Sequence, residues 1–354
     1  MADWLQKQWL TCTIWQCILT PLSWLFLGIS LVRKAAYQYG ILQSYRLPVP
    51  VIVVGNITVG GTGKTPLVIS LVEQLTLSGL KPGVISRGFG RQTADLQTPT
   101  RVLFDSNPAD VGDEPALMAN RLTCPLYVSA NRVAAAKALL KDNPQCNVLI
   151  SDDGLQHYAL KRDVEVVVVD AVKGFGNGKL LPAGPLRERV ARLAHVDAIV
   201  VNADKTAFQA FTENNLKVFY RHISAQFAPK PAVVHMQLVA SDFYSLNGAN
   251  NKVSADYFAQ KTITAIAGIG HPARFFAQLT CMGLTFTSQA FADHYVYTAA
   301  DLSNITTDII LMTEKDAVKC LPFKDARVWV LPVNAAFDDK LVSLLLSRIA
   351  ASKP

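Results

Sequence analysis

Short, continuous apolar runs recur along the chain, each followed by a glycine-rich or acidic loop and then by a segment with helical spacing. Val51 to Gly55, Pro82 to Ile85, Pro125 to Ser129, Asn147 to Ile150, Val164 to Asp170 and Ala198 to Asn202 read as strands buried on both faces. Leu67, Val68, Leu71, Val72 and Leu75 mark a helix that should end at Ser78-Gly79, and Arg132 to Leu140 marks another. Leu186 to Arg189 reads as a charged helix start. This alternation predicts an α/β fold, a mainly parallel sheet with helices on both faces. Ligands bind at the carboxyl ends of such strands.

From about Lys217 the texture changes to short alternating segments, Val218 to Tyr220 and then Ala232 to Val239, which suit a linker or a small antiparallel pair. A second strand–helix start follows: Thr262 to Ala267, the loop Gly268-Ile-Gly-His-Pro272, and a helix over Arg274 to Met282. That loop lacks Gly-Lys-Thr and reads first as a tight turn. Ile309 to Met312 and Val328 to Val333 are the remaining strands, the latter the last, and Asp339 to Ala350 is an amphipathic closing helix. The charges of Thr313 to Lys319 suit a solvated helix start capped by Thr313. Their order does not support a guanine-reading motif.

At the other end, Gln8 to Val32 carries no charge and is followed by Arg33-Lys34. A bilayer span needs about 20 apolar residues. Thr11, Thr13, Gln16, Thr20 and Ser23 interrupt the run, and Pro21 should kink it. Trp4, Trp9, Trp15 and Trp24 suit a membrane interface. A spanning or dipping anchor, an interfacial helix and a buried helix all remain open, and no cleavage site marks an ordinary signal peptide. Arg33 and Lys34 would keep the following domain on the cytoplasmic side.

The strongest chemical signal follows the strand Val51 to Gly55. Asn56 to Gly63 is a loop with Gly60, Gly61 and Gly63, and Lys64-Thr65-Pro66 opens the first helix. Strand, glycine-rich loop, Lys-Thr and helix together read as a phosphate-binding P-loop, here Thr58-Val59-Gly60-Gly61-Thr62-Gly63-Lys64-Thr65. Bringing several backbone N–H groups against a triphosphate requires a loop nearly free of side chains, and the helix N-terminus adds partial positive charge. Lys64 would reach the β- and γ-phosphates of ATP, and the Thr65 hydroxyl would bind Mg²⁺. Thr58 stands where the general pattern has its first glycine.

Other candidates lie at strand ends. Asp152-Asp153 follows an apolar strand, as in the metal-positioning Walker B element, although an Asp-Gly turn would look the same. Arg87 and Arg91 lie in Ser86-Arg-Gly-Phe-Gly-Arg91, either a phosphate or carboxylate loop or a solvated turn. Asp113-Glu114 before Pro115 is either an acidic helix start or a base or metal pair, and His294 sits beside Asp293.

Length and charge add little more. The 354 residues favour two domains, and half of them are hydrophobic. The net charge of +7 favours anionic partners, but the basic residues are spread along the chain, so nucleic acid is not indicated. Cys12, Cys17, Cys124, Cys146, Cys281 and Cys320 form no CxxC pair and no zinc spacing, which suits a reducing compartment.

Taken together these stretches resemble the tetraacyldisaccharide 4'-kinases, the lipid A 4'-kinases of Gram-negative envelope synthesis. The resemblance rests on Gly55-Asn56 with Thr58 to Pro66, Ser86 to Arg91, Gly112-Asp-Glu-Pro115 and Asp152 to His157. It continues through Leu181-Pro-Ala-Gly-Pro-Leu-Arg-Glu188, Gly268 to Pro272, Phe291 to Tyr295 and Thr313 to Lys319. Thr58 is what this family shows. The resemblance implies ATP- and Mg²⁺-dependent transfer to the 4'-hydroxyl of a tetraacylated disaccharide 1-phosphate, giving lipid IVA at the cytoplasmic face of the inner membrane.

It also implies a P-loop domain over residues 36–215 and a membrane-associated helix within 1–35. A two-stranded linker over 216–240, a smaller Rossmann-like lobe over 241–335 and a C-terminal helix over 336–354 complete the division. Lys64 and Thr65 match the P-loop lysine and metal-binding hydroxyl, and Asp152 and Asp153 match the acidic pair after the Walker B strand. Asp113 and His294 match a dyad that activates the sugar hydroxyl, while Glu114, Arg132, Gln156, Arg187 and Glu188 match site-lining positions. Because the dyad is split between the halves, lobe closure should assemble the site. A membrane-associated P-loop ATPase switch is the competing reading, and it would hydrolyse ATP regardless of acylated sugar.

Overall fold

The computed structural model describes residues 9, 14–216 and 230–352. Trp4 and the expected strand Val218 to Tyr220 lie outside them. The first strands are β1 (Val51–Gly55), β2 (Pro82–Ser86), β3 (Thr100–Val102), β4 (Leu126–Val128), β5 (Val148–Asp152), β6 (Val164–Asp170), β7 (Ala198–Asn202) and β8 (Ala232–Ala240). The later ones are β9 (Phe243–Ser245), β10 (Gly248–Val253), β11 (Ile263–Ala267), β12 (Thr287–Ala290), β13 (Ile309–Thr313), β14 (Val328–Leu331) and β15 (Val333–Phe337). The helices used below are α1 (Ile14–Gln38), α2 (Lys64–Leu77), α3 (Asp113–Arg121), α4 (Arg132–Asp142), α5 (Pro272–Cys281), α6 (Glu314–Cys320) and α7 (Lys340–Ser352).

Two sheets form. The larger has the order β15-β8-β7-β6-β1-β5-β2-β4-β3, and the smaller β10-β9-β14-β13-β11-β12. In the larger sheet β2, β4, β5, β1, β6, β7 and β8 pair in parallel. Only the edge strands β3 and β15 run antiparallel. β14, β13, β11 and β12 are parallel in the smaller sheet, with β9 antiparallel beside β14. The apolar runs of the sequence explain the parallel centre: every residue of β1, β5 and β7 is buried, as a strand covered on both faces must be. On α2, Leu67, Val68, Leu71 and Leu75 are fully buried against one face of the larger sheet. Each such side chain stabilises the fold by about 1.5–3 kcal/mol.

The chain leaves the larger sheet after β8, builds the smaller one, and returns as β15 beside β8. The crossings touch, Ser241 N–H donating to Pro332 O at 3.1 Å. α7 then packs on the larger sheet and α2, with Leu341, Leu345 and Ile349 buried.

Two sequence expectations need correction. The apolar run Val328 to Val333 is not one last strand: Pro332, which has no N–H to pair, divides β14 from β15, and the two belong to different sheets. Leu186 to Arg189 does not start a helix. Leu186 bridges to Thr58 and Arg187 N–H donates to Ile57 O at 2.7 Å, so this stretch is drawn out against the P-loop and a short 3-10 helix begins only at Val190.

Candidate active site

The P-loop is shaped by its own side chains and by its neighbours. Asn56, fully buried, donates from Nδ2 to Gly60 O at 3.3 Å. Asn202 at the end of β7 donates to Thr62 O at 3.1 Å, and Lys173 Nζ to Gly61 O at 3.3 Å. Gly63 has φ +94°, and a Cβ there would lie 2.8 Å from Asn202 Nδ2 and 3.1 Å from Met236 Cε. Only glycine meets both demands. α2 starts at Lys64 with no side-chain cap, so its first N–H groups face the loop.

Across from the loop, β5 ends in Asp152, and Asp153 follows in the turn. Asp153 takes φ +47°, a strained conformation for a non-glycine residue. Its carboxylate lies 3.3 Å from Lys64 Nζ and 3.1 Å from Arg187 Nη1. Burial alone would raise its pKa, but these two cations hold it below the usual carboxylate value. Asp152 is the opposite case. Burial first, then Glu114 and Asp153, push it up to about 7. Ser86 donates to its Oδ2 at 3.0 Å, whereas its Oδ1 is buried with no partner among the described residues.

A buried carboxylate oxygen without a donor, within the field of the P-loop lysine, fits a hard cation such as Mg²⁺. No cluster of three or more His, Cys, Asp or Glu forms a metal cage among the described residues. Mg²⁺ characteristically relies on few protein ligands, completing its shell with water and substrate phosphate.

The second charged group joins the two sheets. His294 Nδ1 lies 2.9 Å from Asp113 Oδ2, although 181 positions separate them. Asp113 opens α3, following Gly112, whose φ is +95°. His294 has φ +60°, and its backbone N–H donates to Gly268 O at 3.2 Å. Lys315 Nζ stands 3.3 Å from His294 Nε2, which assigns that nitrogen as acceptor and leaves Nδ1–H to donate to Asp113. An imidazole with one ring nitrogen placed to accept and a carboxylate behind the other is the arrangement of a general base.

The remaining predicted residues surround these groups. Arg132, at the start of α4, is buried and donates to Ser129 O at 3.2 Å and Asp153 O at 3.4 Å; burial pulls its pKa down to about 10. Gln156 donates to Glu188 Oε1 at 2.7 Å and to Asn56 O at 3.3 Å. Glu114 acts on Asp152 through its charge. Arg87 is exposed at the carboxyl end of β2. Arg91 instead is tied into its own loop, through Asp110 O at 2.8 Å and Thr100 Oγ1 at 2.9 Å.

Comparison with known proteins now decides the family. The family model described as tetraacyldisaccharide-1-P 4'-kinase, LpxK, matches residues 15–350. The chain belongs to this family. It is 44% identical to the tetraacyldisaccharide 4'-kinase of Methylobacillus flagellatus, covering 98% of this chain and 96% of that one. It is 43% identical to the enzyme of that name from Pasteurella multocida, covering 98% of each. Its fold is similar to a crystal structure of LpxK from Aquifex aeolicus in complex with ATP, with a TM-score of 0.75 and 27% identity over 94% of this chain and 99% of that one. The chain is therefore a kinase with the lipid A 4'-kinase function of its family.

Several contacts in this kinase escape sequence reasoning. Arg274 of α5 reaches Asp170 at the end of β6, Nη1 to Oδ2 at 2.5 Å and Nη2 to Oδ1 at 3.0 Å. Arg121 of α3 pairs with Glu314 at 2.8 Å and also bonds Asn334. The charges of α6, expected on a solvated helix start, are largely buried: Asp316 is 0% and Glu314 6% exposed. Thr313 does cap that helix, its side chain accepting from Asp316 N–H. A signal for Asp316 and Lys319 was present, opposite charges at i and i+3 directly after an apolar strand, but the same pattern fits a surface pair.

Proposed function

We propose the following division of roles for phosphate transfer from ATP to the 4'-hydroxyl of a tetraacyldisaccharide 1-phosphate, the product being lipid IVA. The backbone of Thr58 to Gly63 cradles the triphosphate, Lys64 neutralises charge on the β- and γ-phosphates, and the start of α2 adds its partial charge. Thr65, Asp152 and Asp153 would hold Mg²⁺, which when bound shields the phosphate charge. In its absence Lys64 and Arg187 hold Asp153 ionised. His294 Nε2 takes the proton of the sugar hydroxyl while Asp113 orients the ring, a role that typically supplies about 10²–10⁴ in rate. Lys315 then has to yield its place at Nε2 to the hydroxyl. Arg87, Arg132, Gln156, Arg187 and Glu188 line the space where donor and acceptor meet.

The acceptor's acyl chains are matched by α1. This helix is long and apolar enough to cross a membrane, and most of it is exposed. An open apolar groove of about 670 Å³ lies between it and the following turn, lined by Trp24, Leu25, Ile29, Val32, Ile41 and Leu42. Its other face docks on the protein: Ser23 Oγ donates to Leu180 O at 2.8 Å and accepts from Ala183 N–H at 3.1 Å. Trp9, ahead of the helix in the chain, donates from Nε1 to Pro182 O at 3.0 Å. A helix docked along one side with a free apolar face suits the cytoplasmic surface of the inner membrane. The excess of basic residues suits anionic lipid.

The observation that carries this reading is the convergence of Lys64, Asp153 and Arg187 with the cross-sheet pair Asp113–His294, in a family whose members are named for the reaction. The test is transfer of labelled γ-phosphate from Mg-ATP to tetraacyldisaccharide 1-phosphate in detergent micelles, with Lys64→Ala as control. Transfer by the wild type, reduced by about 10³-fold or more in the variant, is expected, because charge neutralisation carries much of phosphoryl transfer. ATP hydrolysis without transfer would overturn it in favour of an ATPase switch.

A further inference from the structure

Lys319 is a nearly buried cation to which the mechanism above gives no part. Its side chain is 7% exposed, and its Nζ stands 3.0 Å from Asp316 Oδ1 and 3.9 Å from Asp113 Oδ2. The same ammonium lies 5.1 Å from the centre of the Tyr297 ring. Burying a charge is costly unless it is paired, so this placement is specific. Asp316 is itself anchored without help from Asp113: its Oδ2 accepts from Gly268 N–H at 3.1 Å and from the Thr313 hydroxyl at 2.7 Å. Gly268 in turn accepts from the backbone N–H of His294 through its carbonyl. One buried carboxylate on the smaller sheet therefore fixes two things at once. These are the loop that holds His294 in its strained conformation and the cation that faces Asp113 across the junction.

We propose that Lys319, anchored by Asp316, is a positioning residue for phosphoryl transfer: it fixes the Asp113 carboxylate at the junction, where Asp113 orients the His294 ring. This rests on the reading of Asp113 and His294 as the base. Asp113 Oδ2 has His294 Nδ1 on one side at 2.9 Å and Lys319 on the other at 3.9 Å, so the ammonium and the imidazole share one oxygen. The other charged groups facing the pair are Lys315 at 3.3 Å and Asp293 at 4.0 Å from His294 Nε2. Asp316 lies behind Lys319 and Glu114 follows Asp113 in the chain. The contact of Asp113 with His294 Nδ1 remains when Lys319 is removed, so the effect is a partial loss and not a collapse.

The test is kcat and KM for ATP in the full-length enzyme, for Lys319→Met and Lys319→Arg, each also made in an Asp113→Asn background. Lys319→Met should lower kcat by about 10-fold to 100-fold, within the whole contribution of a general base, and leave KM for ATP within about two-fold. Lys319→Arg should restore most of the rate. In the Asp113→Asn background Lys319→Met should cost almost nothing more, since both act through one group.

A melting curve checks that each variant is folded, and Lys319→Gln carries the same expectations if Lys319→Met does not fold. An unchanged kcat in a folded Lys319→Met variant would overturn the proposal, as would equal losses in the two backgrounds. Full activity of Asp113→Asn by itself would instead overturn the base assignment on which the proposal rests.

Discussion

Replacing Arg274 by methionine tests how much one ion pair contributes to holding the smaller sheet against the P-loop side of the larger one. The Asp170 carboxylate is 1% exposed and the Arg274 side chain 47%, with two N–O contacts of 2.5 and 3.0 Å. At a charge separation of about 4 Å and an effective dielectric of about 20, the Coulomb attraction is about 4 kcal/mol. Half of Arg274 faces water, which screens the pair and brings the expected coupling to about 2 kcal/mol. Asp170 keeps the N–H groups of Val172 and Lys173 at 3.0 and 3.1 Å, so the variant does not strand a bare buried charge. The assay is denaturant unfolding followed by tryptophan fluorescence, in a cycle of Arg274→Met, Asp170→Asn and both together.

The pH dependence of that coupling follows from its sign. Burial would raise the Asp170 pKa, but Arg274 and the backbone hydrogen bonds hold it below the ordinary value. A depressed carboxylate contributes stability that is complete above its unfolded pKa of about 3.9 and lost as pH falls through the lower folded value. The coupling should thus be constant from about pH 5 to pH 8 and shrink only below about pH 4. A coupling below about 0.5 kcal/mol at neutral pH, the level of an ordinary surface pair, would refute the reasoning.

Two further perturbations address the docked helix and the basic cluster near it. Burial, followed by Arg132, Arg162, Arg33 and Arg87, pushes the His157 imidazole down to about 4. Unfolding must therefore take up a proton between about pH 4 and pH 6.5, so stability is full above pH 6.5 and falls as pH drops toward 4. His157→Gln should remove about 2 kcal/mol of that slope, discounted for the ring's partial exposure, as read from melting curves across this range. Ser23→Ala leaves Leu180 O and Ala183 N–H without the hydroxyl that serves both. It should cost about 1–3 kcal/mol and raise the exchange rate of the Ala183 amide, measured by hydrogen exchange; unchanged protection would show that the helix docks by other contacts.

The parts of the kinase that could be read in the sequence are those built from neighbouring residues. Strands covered on both faces had to be continuous apolar runs, and β1, β5, β6 and β7 are. The P-loop is a local object, with glycine, lysine and threonine serving one ligand within eight positions. The break at Pro332 was visible as a residue, but its consequence was not, because Val333 to Phe337 carries too weak an apolar pattern to show that it rejoins the first sheet. The pairing of Asp113 with His294 came from resemblance and not from spacing, since 181 positions separate them. Arg274, Lys319 and Ser23 were unreadable for the same reason: each is an ordinary polar residue on a helix until the fold brings a buried partner from more than a hundred positions away, or, for Lys319, buries the local partner as well.

Three of the pairs that join the sheets differ in a way that bears on how the site is assembled. Arg121 and Glu314 are mostly buried and sit beside the crossing strands, where Glu314 also accepts from Val333 N–H at 3.2 Å and Arg121 bonds Asn334. Burial raises the Glu314 pKa, yet Arg121 opposes it, as a fixed and water-poor contact requires. Arg274–Asp170 and His294–Asp113 join the carboxyl end of β6 and the start of α3 to the smaller sheet, with Arg274 and His294 partly in water. A rotation about the touching crossings at Ser241 and Pro332 would leave the buried pair almost undisturbed and separate the other two. Opening the cleft would then break the tie at Asp170 and remove Asp113 from His294 in the same motion. The base would be complete only when the cleft is closed over its substrates, so water would meet the triphosphate chiefly while His294 lacks its carboxylate, and that favours transfer to sugar over hydrolysis.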